Sequence, residues 1–353
     1  MGRVTRDRDA EAGAPEAANQ AIIPVQERYR RFARDEAPGR SALYEEWAAG
    51  ISADARTAAI VARIPDARRR QPPLVFAVTR LLGAPLASFG EWSSWLAVHA
   101  DEVVGESARR ALQTNEPLRC AALLPALSAI DGPIGLLEIG ASAGLCLFPD
   151  RYSYRYTGAR DAALDPVCGP STVRLESELR GAAAAEIPLR MPEIAWRAGI
   201  DLAPLDARDE SDRRFLTTLV WPGEEGRAQR IEAALDIVAA EPPEIVRGDA
   251  TEAAVLRELI ERAPRDATLV ITTPGVLPHI PRADRERLIA TVTSAAAVWI
   301  TIDPPALHRA WHPAIDVAEW DGFVLARDAR PLAVVDPLGA FVEWRPQGQV
   351  SPG

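Results

Sequence analysis

Between residues 22 and 130 apolar side chains recur every three to four positions, with polar ones in the gaps. Tyr29, Phe32 and Ala33 share one helical face. Leu43, Tyr44 and Trp47 follow Ser41, a capping residue, and Gly50 stands near that helix's end. Ile60, Val61 and Ile64 follow Ser52 and Asp54, and Pro72-Pro73 lead into another apolar run at 74–77. Phe89, Trp92, Leu96 and His99 repeat with the same period, which makes His99 a packed or capping histidine. The region 21–130 therefore reads as an all-helical domain. Its last helix, 120–130, is preceded by Gln113-Thr114-Asn115-Glu116, where Thr114 or Asn115 supplies the cap or the cluster lines a cleft. Residues 1–20 carry no apolar period and read as a disordered tail, and 347–353 read as a C-terminal tail.

From residue 131 the pattern changes. Leu136, Leu137 and Ile139 are apolar without strict alternation, as in a strand covered on both faces. A second strand is expected at 152–156, a loop at 159–170, a strand at 171–175, and helices at 191–199, 212–220 and 227–240. Strands at 244–249, 267–273 and 297–303 then alternate with helices at 252–263 and 282–296. Apolar runs at 323–327 and 332–335 flank a polar turn, and 341–344 follows. This alternation implies a Rossmann-like α/β domain over 131–346. Its parallel sheet carries helices on both faces and ends in an antiparallel hairpin.

The chemistry concentrates at one bend. Glu138 ends the first strand, Gly140 and Gly144 let the backbone turn sharply, and a helix opening beyond them would offer unpaired N–H groups to an anion. Four readings suit these residues. An acid before a glycine turn suits S-adenosylmethionine. A dinucleotide site wants G-x-G-x-x-G, and that spacing is absent. Gly140-Ala141-Ser142-Ala143-Gly144 also spells G-x-S-x-G, the nucleophile elbow of serine hydrolases, with Ser142 as nucleophile. The fourth is a tight turn that binds nothing. Element order weighs against the hydrolase, whose elbow follows several strands, because everything before Ile134 reads as helical. Glu138, Gly140 and Asp249 all fall at carboxyl ends of strands, where open sheets bind ligands.

Composition narrows the classes. A formal net charge of −10 argues against general binding to nucleic-acid backbones. The chain has no lysine, which excludes Schiff-base lysine chemistry and the lysine-containing phosphate loop. Cys120, Cys146 and Cys168 lack metal-ligand spacing, so no metal is expected. No run of eighteen apolar residues and no apolar signal core before Ala21 is present. The expectation is a cytoplasmic protein acting on a small molecule.

Several segments together resemble an uncharacterised bacterial family, the domain of unknown function numbered 2332. They are Leu137-Glu138-Ile139-Gly140-Ala141-Ser142-Ala143-Gly144-Leu145, Gln113-Thr114-Asn115-Glu116, Leu219-Val220-Trp221-Pro222 and Val246-Arg247-Gly248-Asp249-Ala250, with Arg31-Phe32 through Ser41-Ala42-Leu43-Tyr44 at the start. The resemblance runs from about Tyr29 to Trp344. The family core is similar to class I S-adenosylmethionine-dependent methyltransferases. That similarity implies that Glu138, Gly140, Ala141, Ser142 and Gly144 hold the donor, that Asp249 and Ala250 lie near its adenine, and that Asp161 or Asp165 binds the ribose. A stretch of about 158–240 would be a lid or substrate-binding insertion. His279, past the fourth strand, or Asp303, at a strand end, would act as base where the acceptor needs one. His308 and His312, near Trp311, would line the same mouth. Two positions depart from the family: Thr273-Pro274 stands near its usual His-Ser pair, and Asp336-Pro337-Leu338-Gly339 replaces Asp-Pro-His-Gly. The departures keep a non-catalytic binder of the same fold as the alternative.

Overall fold

The computed structural model describes residues 13–113, 115–307 and 311–345, with side chains from residue 21. It divides into two compact units, residues 1–113 with 211–228, and residues 114–210 with 229–353. No helix among the described residues is long and apolar enough to cross a membrane.

The first unit is helical. It contains α1 (Gly13–Asp35), α2 (Ala42–Ala53), α3 (Ala55–Ala62), α4 (Pro72–Leu81), α5 (Phe89–Val98) and α6 (Ala100–Arg109). Ser41 caps α2 by accepting from the Tyr44 amide, and Asp54 caps α3 by accepting from Arg56 and Thr57. Residues 13–20 do not form a tail. They continue α1 backwards, because the Ala- and Glu-containing stretch favours helix and Pro15 sits in the first turn. Residues 1–12 and 346–353 lie outside the described residues. Tyr29, Phe32, Tyr44, Trp47, Phe76 and Trp92 form a buried aromatic core. Trp221 joins that core 5.1 Å from the Phe32 ring, with the Arg40 guanidinium over its ring at 3.7 Å. His99 packs as expected, stacked on Trp95 at 4.1 Å.

The second unit opens with α7 (Arg119–Ser128) and β1 (Pro133–Ile139). Then come β2 (Ser153–Gly158), β3 (Ala162–Leu164), β4 (Arg174–Arg180) and β5 (Glu193–Asp201). After α8 (Glu210–Thr218), which falls in the first unit from residue 211, the run continues with α9 (Arg227–Ala240), β6 (Glu244–Arg247), α10 (Ala253–Ile260), β7 (Thr268–Pro274), α11 (Arg282–Ser294) and β8 (Val298–Asp303). The described chain ends with β9 (Phe323–Arg327), β10 (Arg330–Val335) and β11 (Phe341–Trp344). All the strands form one mostly parallel sheet in the order β3-β2-β4-β11-β10-β9-β8-β7-β1-β5-β6. β9, β10 and β11 run antiparallel to their predecessors. No strand precedes β1 among the described residues, as the apolar pattern implies.

Three local expectations fail. Residues 193–201 form a strand rather than a helix, paired in parallel with β1 on one side and β6 on the other. Tertiary pairing overrides the local pattern there, and Ala198, Gly199 and Ile200 are buried. β5 and β7, not β2, therefore flank β1. β2 pairs with β4 at the far side of the sheet, its tyrosines anchored by Tyr154 to the Pro149 carbonyl and Tyr156 to the Ala121 carbonyl. Finally, the bend opens no regular helix. Only short 3-10 turns follow, Leu145–Leu147 and Pro149–Arg151, broken by Pro149. The stretch 158–240 is likewise no single inserted block, since it supplies β4 and β5 to the sheet and residues 211–228 to the first unit.

Strand sequence runs outward from β1 through β5 to β6, and on the other side from β7 to β8, so the order reverses between β1 and β7. Leu137 and Ile139 pack with Leu256, Leu259, Leu288 and Val292 of α10 and α11. Glu138, between them in sequence, therefore points to the opposite face.

Candidate functional site

The bend after β1 carries left-handed backbone at Gly140 (φ 76°), Ser142 (φ 51°) and Gly144 (φ 81°). Glycine relieves this strain at two of the three; Ser142 is held in it by neighbours. A Cβ on Gly140 would stand 2.7 Å from Val276 Cγ2, and one on Gly144 3.0 Å from Pro243 Cγ. The bend is also closed electrostatically. The Gly140 and Ala141 amides donate to the Ile200 carbonyl at 2.8 and 3.3 Å, and Gly144 donates to Ala141 at 2.7 Å. The Ser142 amide donates to Asp201 Oδ2 at 2.9 Å, and the Ala143 amide to Asn115 Oδ1 at 3.3 Å. The expectation of free main-chain amides is thus corrected: all five have acceptors within the protein.

Two of those acceptors were not expected to play this part. Asp201 ends β5, the strand beside β1, and it also accepts from the Ala203 amide at 2.8 Å. Its carboxylate stands at the end of the strand that flanks β1. Asp165, by contrast, lies beside the edge strands, paired with Arg155 at 2.8 Å. The signal for Asp201 is an apolar run ending in an acid, Ala198-Gly199-Ile200-Asp201, hidden by the helical reading. Asn115 does not cap α7. Its Nδ2 donates to Ser142 Oγ at 2.6 Å while its Oδ1 takes the Ala143 amide. Glu116 Oε1 accepts from the Leu118 amide at 3.0 Å and from Arg230 Nε at 2.9 Å. Asn115 thus supports the bend, while Glu116 fixes the segment that carries it; Thr114 lies outside the described residues.

Under the bend, Glu138 is 4% exposed and its Oε2 has no hydrogen-bond partner. Burial pushes its carboxyl well above the usual range; Cys146 adds to this, Arg119 opposes it, and Asp201 adds again. Arg119 is itself buried, donating to the Pro274 carbonyl at 2.9 Å and the Pro337 carbonyl at 2.9 Å. It therefore ties together the two segments that depart from the family pattern. Thr273 Oγ1 accepts from the Trp299 indole at 3.0 Å, and Asp336 Oδ1 accepts from the Leu338 amide at 2.8 Å.

The remaining sequence-derived residues are more scattered. Asp249 follows β6 and accepts from Thr251 through both its amide and its hydroxyl; Ala250 is buried in the core against α10 and α11. His279 lies in a 3-10 turn past β7 and is exposed; partial desolvation of its ring and then the Arg119 cation favour the neutral imidazole. Asp303 is fully buried and accepts from the Thr301 hydroxyl. Trp311 is buried with its indole on the Pro305 carbonyl, whereas His308 lies outside the described residues. Ser142 has the positive φ of a nucleophile elbow, but it is 3% exposed. A carboxamide holds both its Oγ and the amide that would serve an oxyanion, where a hydrolase needs a histidine and a free donor.

Two features leave room for a ligand. Leu202, directly after Asp201, is 70% exposed, an apolar side chain uncovered at the sheet's carboxyl edge. A cavity of about 240 Å³ adjoins the bend, lined by Ala143, Leu205, Asp206, Val238, Pro243 and Ile245 among others. Its wall is tied to the bend by the Leu205 amide on the Ser142 carbonyl at 3.2 Å.

Residues 26–344 match the profile of a family described as "Uncharacterized protein conserved in bacteria (DUF2332)". No curated protein matches the chain.

Proposed function

The chain belongs to this family of uncharacterized bacterial proteins, and we propose that its second unit binds S-adenosylmethionine at the carboxyl ends of β1, β5 and β6 and methylates a small-molecule acceptor. The observation that carries the reading is the reversal of strand order between β1 and β7, with acids at neighbouring strand ends: Glu138 on β1, Asp201 on β5 and Asp249 just past β6. Ligands of open α/β sheets sit outside such a switch point, and an acid on the strand beside β1 suits the two hydroxyls of a ribose. Asp201 already accepts two amides, one on each oxygen, and each oxygen keeps a second lone pair for a hydroxyl. Leu202 would underlie the adenine, and Asp249 would stand at its edge.

The fit is partial. The carboxylates suit the adenosyl half, whereas the closed bend offers no free amide to the amino-acid half. The donor supplies a methyl group already activated on sulfur, so the chain's own task is alignment, with a base only where the acceptor carries a proton. His279 carries an imidazole able to accept one. The second reading is a binder without turnover. It is favoured by the closed bend and by Thr273 and Leu338, whose surroundings are structural.

Calorimetric titration of S-adenosylmethionine and S-adenosylhomocysteine into the full chain tests binding, and transfer of labelled methyl to a panel of small acceptors tests turnover. Saturable binding with transfer supports the first reading, and binding without transfer supports the second. Absence of binding by both ligands removes the adenosyl reading altogether.

A further inference from the structure

We propose that the Asn115 carboxamide occupies the place of a ligand carboxylate on the bend and must swing away before an amino-acid-bearing ligand seats there, an inference that rests on the adenosyl reading above. Three of the five bend amides are satisfied by backbone carbonyls of the sheet or the turn itself. Such partners cannot leave without breaking the fold. Only Ser142 and Ala143 are satisfied by side chains. Asp201, on Ser142, is pinned by a second amide at Ala203. Asn115 is held on Ala143 by a long bond of 3.3 Å and on the rotatable Ser142 hydroxyl at 2.6 Å, with no backbone amide among the described residues pinning it a second time, and it sits in a stretch without regular secondary structure. Its neighbour Glu116, by contrast, is fixed by Arg230 and by the Leu118 amide. Asn115 is therefore the partner most able to move.

Its geometry matches a carboxylate. A carboxamide and a carboxylate are both planar with two polar atoms on one carbon. Asn115 places one of these on the Ala143 N–H and the other on Ser142 Oγ. A carboxylate in the same plane would accept from Ala143 and, once the Ser142 hydroxyl rotates, from Ser142 as well. Two charge-assisted bonds would then replace two neutral ones. The cavity lined by Ala143 and Leu205 gives the rest of a ligand room beside that amide. By this bond Asn115 spares the protein a buried N–H without an acceptor.

The test compares wild type with Asn115→Ala and Asn115→Asp, each checked for native circular dichroism, with Asn115→Ser as substitute for a variant that fails to fold. The ligands are S-adenosylhomocysteine and 5′-methylthioadenosine, which lacks the amino acid. Removing the plug should tighten S-adenosylhomocysteine about tenfold, the scale of a displaced hydrogen-bonded pair. Placing a fixed anion there with Asn115→Asp should weaken it, and methylthioadenosine should bind all variants alike. Asn115→Ala binding S-adenosylhomocysteine no better than wild type overturns the plug, as does a parallel change for methylthioadenosine. Methylthioadenosine binding to wild type in either case leaves the adenosyl reading standing. No adenosyl compound binding any variant sinks that reading, and free methionine then decides the plug. Tighter binding of methionine to Asn115→Ala than to wild type upholds it; equal or absent binding removes it.

Discussion

One methyl group added at residue 199 tests how firmly the bend is seated on the sheet. A Cβ on Gly199 would lie 2.4 Å from Ala141 Cβ and 3.5 Å from both the Glu138 carbonyl and Ile245 Cγ1. Carbon atoms rest about 3.5–4.0 Å apart, so the first contact is far inside the repulsive wall. Gly199 has no left-handed backbone, which leaves the cost purely steric. Neither partner is a flexible side-chain tip; Gly199 is fixed in β5 and Ala141 by its bond to Ile200. Overpacking of this kind costs about 1–3 kcal/mol, and a rigid pair belongs near the upper figure. For a unit of this size each kcal/mol lowers the melting temperature by about 2–4 °C, so Gly199→Ala should fall by about 2–12 °C. Ala141→Gly alone should cost about 1–2 kcal/mol, from chain entropy and one lost methyl contact. The double variant removes the clash and should be no less stable than Ala141→Gly alone. Calorimetric melting of the four proteins measures this. A Gly199→Ala protein that melts with wild type, or a double variant showing the sum of the two losses, refutes the packing described for the bend.

Other perturbations follow from the same geometry. Glu138 has a folded-state pKa raised by burial, so wild type loses stability as pH climbs from the ordinary glutamate value of about 4.3 towards that raised value. Glu138→Gln should gain on wild type between pH 5 and 8 in melting experiments, by at most about 1.4 kcal/mol per pH unit; a constant difference contradicts it. Arg119→Met should cost about 3–5 kcal/mol by urea unfolding, since it removes buried charged bonds to the Pro274 and Pro337 carbonyls, and a loss under about 1 kcal/mol speaks against that clamp. Trp221→Ala should destabilise the first unit by about 3–5 kcal/mol in the same assay, because the indole fills the aromatic core, and near-wild-type stability would remove it from that core.

The helices of the first unit were legible because a buried helical face imposes its period on the residues that make it, as at Tyr29 and Phe32 or Leu43, Tyr44 and Trp47. The run from β6 to β8 was legible for the corresponding reason in strands. β5 was not. Met191, Ile194 and Ala198 are spaced for a helix, while Ile194, Trp196, Ala198 and Ile200 alternate for a strand, and only the flanking β1 and β6 decide between them. That misreading concealed Asp201 and its bond to the Ser142 amide. The bend was visible as an acid and two glycines, but its hydrogen bonding was not. Its side-chain partners Asn115 and Asp201 are 27 and 59 residues from Ser142, and no local pattern records such pairings. Arg119 was equally hidden, since it acts on carbonyl oxygens that any residue would present.

The central claim is that an adenosyl group lies over the end of β5. The most direct measurement is calorimetric titration of S-adenosylhomocysteine into wild type and Leu202→Asp. Leu202 is 70% exposed, so its replacement leaves the core untouched. Covering that side chain with a base is worth about 1.5–3 kcal/mol, so the account predicts saturable binding by wild type and at least about tenfold weaker binding by Leu202→Asp. Equal affinities would contradict the placement, and no binding by wild type would contradict the claim itself.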